Sequence, residues 1–293
     1  MKLSRKLIPA LAMLLVSAVM MTTASFAWFA INTDSQITGM TVKTTAADNI
    51  LVAGCTLGQK TVATGFAPDL AVTLDEATLR PVSATDGANF FYVDSGEHVD
   101  DDGSAKGENP YLSYAETPFA NGDKPYTDYV FQVRATNAGS EGKDVVISAL
   151  DLIYSVTGST GFPKAFRVAV FAESENTEAA EDAKFSGEVG TLKTVLKPSD
   201  AVNFTEGKAA NSVNTVGAVT LPDQSATIGT VGAHTTATFK VVVRLWLEGE
   251  DTTCTNETFA NFDGTWSFNL TVVMVAAGTA GVTELNVQAA SGS

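Results

Sequence analysis

The sequence predicts an all-β chain, an antiparallel β-sandwich of jelly-roll type with long loops, behind an N-terminal signal segment. Three observations predict it. Long stretches alternate apolar and polar residues with a period of two, the mark of a strand with one face on a core. Turn residues recur between those stretches, with 24 Gly and 9 Pro in 293 residues, and runs of good helix formers are few. The chain is 45% hydrophobic and only 17% charged, enough apolar side chain for a sizeable core.

Taken in order, residues 1–27 read as the signal segment. Lys2, Arg5 and Lys6 make a basic start, Leu7 to Met21 an apolar run of signal length, and Thr22 to Ala27 a region of small residues. Ser25 and Ala27 occupy the −3 and −1 positions of a cleavage site, so processing is expected after Ala27. An uncleaved anchor is the alternative, because no charge falls between Lys6 and Asp34. Polar Thr22, Thr23 and Ser25 interrupt the run and favour cleavage. The closing residues LNVQAASGS form neither a hydrophobic tail nor a basic stop, so no covalent anchoring through the C-terminus is expected. These features place the product outside the cell, touching the membrane only through the signal segment.

Residues 28–43 follow as an extended segment. Phe29, Ile31 and Ile37 occupy odd positions, but past Gly39 the apolar phase flips to Met40 and Val42. A glycine at a phase change inside a strand pattern predicts a bulge there. Residues 44–293 then read as the sandwich domain. Ile50 to Val62 and Leu70 to Leu79 give weaker strand candidates. Near residues 82–123 the pattern is lost; DSGEHVDDDGSAKGENP is acidic and turn-rich, a long surface loop or an excursion from the sheet.

Periodicity returns in Tyr126 to Asn137, where Tyr129, Phe131, Val133 and Ala135 face one way and Asp128, Gln132, Arg134 and Thr136 the other. This predicts a half-buried strand. A turn at NAGSEG leads to Val145–Tyr154, and Phe166, Val168 and Val170 alternate in the next strand. Glu173 to Lys184 is a short surface helix or a loop. Near the end, Ala237, Phe239, Val241, Val243, Leu245 and Leu247 line one long strand; Trp266, Phe268, Leu270, Val272 and Met274 line the next. The two are expected to form the spine of an antiparallel sheet. Trp246 sits on the face opposite Phe239, either beneath a second layer or as an exposed contact.

Composition and motif content exclude several function classes. A formal net charge of −15, more acidic still without the basic leader, repels phosphate backbones, so nucleic-acid binding is not expected. With only His98 and His234, and no H-E-x-x-H or C-x-x-C, a catalytic zinc site has no support. No G-x-S-x-G elbow marks a hydrolase and no Gly-rich loop a phosphate site. The acidic run Asp94, Glu97, Asp100, Asp101 and Asp102 lacks the register of a calcium loop and reads as solvated. Glu248-Gly249-Glu250-Asp251 reads as a turn with outward charges. No enzyme activity, cofactor or metal is expected. Cys55 and Cys254 remain after processing. A disulfide between them would contribute about 4–5 kcal/mol by chain entropy, and two buried thiols are the alternative.

The stretch ASFAWFAINTDSQITGM resembles the export signals of the TasA/camelysin family, secreted fibre proteins of Gram-positive biofilm matrices. YVFQVRATNAGSEGKDVVISALDLIY is similar to that family's strand, NxG turn and following strand, and FKVVVRLWLEGEDTTC with GTWSFNLTVVMVAA to its closing pair. The resemblance implies a jelly-roll subunit released by a dedicated signal peptidase. It further implies a homopolymer formed by donor-strand complementation, in which one subunit's N-terminal strand fills a groove in the next. The donor would be residues 28–43, with Trp28, Phe29, Ile31, Ile37, Met40 and Val42 as plugs. The alternative is a monomeric cell-surface adhesin or binding module of the same fold, with this segment paired inside its own sandwich.

Overall fold

A computed structural model describes residues 36–44, 49–72, 79–93, 111–115, 118–119, 124–155, 164–198, 226–249, 251, 254 and 265–289. The signal segment with Ala27, the plugs Trp28, Phe29 and Ile31, His98 and the acidic run 94–102 lie outside the described residues. In chain order the strands are β1 (Gln36–Thr44), β2 (Ile50–Gly54), β3 (Asp69–Val72), β4 (Pro81–Val82), β5 (Phe91–Val93), β6 (Tyr111–Ser113) and β7 (Tyr126–Thr136). They continue with β8 (Lys143–Ser155), β9 (Phe166–Ser174), β10 (Thr191–Leu196), β11 (Thr227–Val231), β12 (Thr236–Glu248), β13 (Thr265–Ala276) and β14 (Asn286–Ala289). No helix occurs among the described residues, and the stretch after Glu173 is a series of turns.

Two mostly antiparallel sheets make an all-β sandwich. The first has the order β11-β8-β13-β1-β3, with β14 also on β8; the second has β10-β9-β12-β7-β2, with β4 also on β12. Their inward side chains share one core. Phe239, Val241, Val243 and Leu245 of β12 and Phe268, Leu270 and Val272 of β13 all lie in it, each essentially inaccessible to water. Burial on that scale is the main force holding two sheets together. Three pairings are parallel: β1 with β13, β14 with β8, and β4 with β12.

The structure corrects the expected spine. β12 and β13 do not pair; each is an interior strand of a different sheet, and their matching apolar faces look at each other across the core. Periodicity reports which face is buried and not which neighbour shares the hydrogen bonds, so the two arrangements look alike in sequence. β7 and β8 are likewise split between the sheets. The arch 137–142 joins them, beside the turn 232–235 that carries β11 into β12. Asn137 ties these two crossings together. Its Nδ2 donates to the carbonyls of Glu141 (2.7 Å) and Gly232 (3.0 Å), and its Oδ1 accepts from the Gly139 N–H (2.9 Å). The side chain is buried, so these bonds satisfy polar atoms that water does not reach.

The outer face of the second sheet is covered as well. Val82, Ala84, Phe90, Tyr92 and Phe119 pack over Val130, Ala169, Phe171, Val242 and Trp246 in a second cluster. Part of the 82–123 excursion is therefore a layer with its own two-stranded sheet, β5 with β6. Trp246 lies beneath it, wholly buried and edge-on to Phe90. The half-buried reading of β7 fails as well: Gln132 faces outward but is fully covered, hydrogen-bonded to Thr61 and Ala63.

Candidate functional site

The segment singled out by sequence lies inside a sheet. β1 runs parallel to β13 on one edge and antiparallel to β3 on the other. The register with β13 shifts between Ile37 and Gly39, the irregularity that the phase change at Gly39 predicts. Beyond the shift, Met40 stands level with Phe268 and Val42 with Leu270, and both plugs are buried in the shared core. Thr41 and Lys43 turn to the outer face, where Lys43 is exposed. Thr44 fixes the end of the strand, its hydroxyl donating to the carbonyls of Ile50 (3.0 Å) and Pro68 (2.9 Å). A single chain thus fills this slot with its own strand. Taking β1 away would leave β13 and β3 with unpaired edges in mid-sheet and open the core at Met40 and Val42.

No family model matches the chain, and no curated protein or solved structure matches it either.

A second constellation lies on the outer face of the second sheet, and sequence reasoning passed over it. Register places Gln132 of β7, Lys240 of β12 and Glu173 of β9 side by side across three strands. Lys240 is fully buried; its ammonium is 3.2 Å from Glu173 Oε2 and also donates to the Leu57 carbonyl at 3.5 Å. Gln132 accepts the Ala63 N–H at Oε1 (2.8 Å) and donates from Nε2 to the Thr61 carbonyl (2.9 Å). Glu173 also binds Ser186 through its N–H and hydroxyl.

Cys55 belongs to this group. It is a free thiol, so of the two alternatives the disulfide to Cys254 is not made; Cys55 packs on the outer cluster and Cys254 against the inner core. Burial pushes the Cys55 thiol up to about 11, against the opposing pull of the Lys240 charge and a hydrogen bond with the Gln132 side chain.

Further along β12, Arg244 grips Asp128 through Nε (2.7 Å) and Nη2 (2.8 Å), donates from Nη1 to the Gly87 carbonyl (3.0 Å) and stacks 3.8 Å above the Tyr126 ring. The 248–251 stretch is corrected too. Glu248 is buried against the Ser83 hydroxyl and the Ala84 N–H, and Asp251 is buried 3.0 Å from Arg167. The signal that could have found these groups is the outward face of the interior strands. Val130, Ala169, Phe171, Val242 and Trp246 set apolar side chains among its polar ones, more than a solvated face would carry.

His234 is exposed in a turn with φ of 56°, and no group of three or more metal-ligating side chains is present among the described residues.

Proposed function

We propose that this protein is a secreted structural subunit of extracellular filaments at the surface of a Gram-positive-type bacterium, assembled by donor-strand complementation on a jelly-roll variant of the sandwich. The signal segment 1–27 is removed after Ala27, and residues 28–43 are the donor. One observation supports this above the others. The strand held between β13 and β3 in the first sheet is the chain's N-terminal extension, and only residues 45–49 join it to β2 in the opposite sheet. A neighbour's copy can take the same place with the same register, hydrogen bonds and plugs, so exchange costs little beyond opening. Donor and slot then lie on different surfaces of each subunit, and the contact repeats without closing. The role is structural and requires no catalysis.

That a single chain closes its own slot favours a second reading, the monomeric adhesin or binding module. Thr41 and Ala71 are register partners on the outer face, so cysteines introduced there together report whose strand fills the slot. Filaments that oxidise to a ladder of covalent multimers support exchange. Disulfides confined to single chains, or a processed protein that stays monomeric by size-exclusion at every concentration, sink it.

A further inference from the structure

The two ends of β1 are held unequally. From Gln36 to Gly39 its backbone pairs with β13 alone among the described residues. From Met40 to Lys43 it lies between β13 and β3, with Met40 and Val42 seated in the core. Thr44 closes the well-held end. Asn49, at φ of 45°, gives its carbonyl to the Thr136 N–H (3.2 Å). Strand alternation then turns the next carbonyl, that of Ile50, away from β7 and toward Thr44. The Thr44 hydroxyl donates to it at 3.0 Å and to the Pro68 carbonyl at 2.9 Å. One side chain thus joins the last residue of β1 to the first of β2, in the opposite sheet, and to the residue before β3. Lys43 stands opposite Asp69 one position earlier, but both are exposed to water, where such a pair holds little.

We propose that the Thr44 hydroxyl is an autoinhibitory latch: β1 frays from Gln36 with the latch closed, and leaves its sheet when the latch parts. The consequence for assembly rests on the strand-exchange reading, but the latch itself does not. A neighbour's β1 in the same register would bring its own Thr44 to the same two carbonyls. The bonds lost on opening are then remade on exchange. A contact present equally in two states cannot shift the balance between them. The hydroxyl therefore sets how often the slot opens, and not how closed and exchanged forms are populated.

Hydrogen exchange on the whole purified chain, read amide by amide, tests it. In the wild type, protected amides of Met40–Lys43 should exchange sooner than those of β12, through an opening smaller than global unfolding, and those of Gln36–Gly39 sooner still. Thr44→Val keeps the shape and removes the donor. It should speed exchange at Met40–Lys43 about fivefold, the worth of one net hydrogen bond, and leave Gln36–Gly39 unchanged. Thr44→Ser should restore the wild-type rates. Exchange at Met40–Lys43 no faster than in β12 overturns the proposal, and needs no variant to fold. So does a Thr44→Val chain in which Met40–Lys43 does not change, or in which Gln36–Gly39 speeds up by the same factor. Size-exclusion of the same samples is read separately. A chain that shows the expected pattern and stays monomeric at every concentration keeps the latch and loses the exchange reading. Where oligomers form, Thr44→Val should reach the wild-type extent sooner, and a different final extent overturns the kinetic role.

Discussion

Val42 of β1 lies level with Leu270 of β13 in a parallel pair, and neither side chain is accessible to water. Residues more than two hundred positions apart in sequence therefore share one layer of the core. The seating of β1 in the first sheet rests mainly on this long-range pairing, since β3, on the other side of β1, has only four residues.

Met40→Ala should destabilise the chain by about 2–5 kcal/mol, the usual cost of emptying a buried methionine site. Urea unfolding of the isolated chain measures it. A change within about 0.5 kcal/mol, the range of ordinary surface substitutions, would mean that β1 is not seated in the core in solution.

Removing Arg244 alone should cost about 3–5 kcal/mol, because the Asp128 carboxylate loses the guanidinium that pairs with it on a mostly covered face. Replacing both, as Arg244→Met with Asp128→Leu, should cost less than Arg244→Met by itself. A double-mutant cycle in denaturant reads the difference.

Gly87→Ala should lower the melting temperature. The residue sits at φ of 64°, and an added Cβ would come within 2.5 Å of the Ala169 Cβ and 3.2 Å of the Trp246 ring. Crowding of that kind costs about 1–3 kcal/mol. The loss should appear with a shift in tryptophan emission as the layer over Trp246 lifts.

Alkaline pH should weaken the fold through Tyr129. Its hydroxyl is buried without a hydrogen-bond partner among the described residues, and burial holds the phenol well above the ordinary tyrosine range. The unfolded chain ionises this group near 10 while the folded chain does not. Stability is therefore unaffected below pH 10 and falls as the pH rises beyond it. Denaturation midpoints taken across that range should fall less in Tyr129→Phe, where that term is gone.

Much of the sandwich was legible in the sequence because its inner faces obey a period of two. Phe239 to Leu247 and Phe268 to Met274 gave strands with the correct face inward, and the phase flip at Gly39 located the irregularity in β1. Sheet membership was not legible. Hydrogen bonds between strands leave no trace in side-chain pattern, so β12 and β13 were paired with each other instead of being set face to face. The covering layer was missed for a different reason. Gln132, Lys240, Arg244 and Glu248 are residues that water normally solvates, and their partners on distant loops (Ala63, Leu57, Gly87 and Ser83), with Glu173 and Asp128 on neighbouring strands, make burial tolerable. Trp246, lying among them, was the clue.

The parallel pairing of β1 with β13 also sets an order of events in time. The first of the described strands to leave the ribosome soon meets the short β3, but its long partner β13 is not made until nearly the last. Throughout that interval it is a sticky ribbon with its β13 edge bare, and the hollow meant for it does not yet exist. Whichever copy of the ribbon is nearest when the hollow takes shape decides whether the molecule closes on itself or on another.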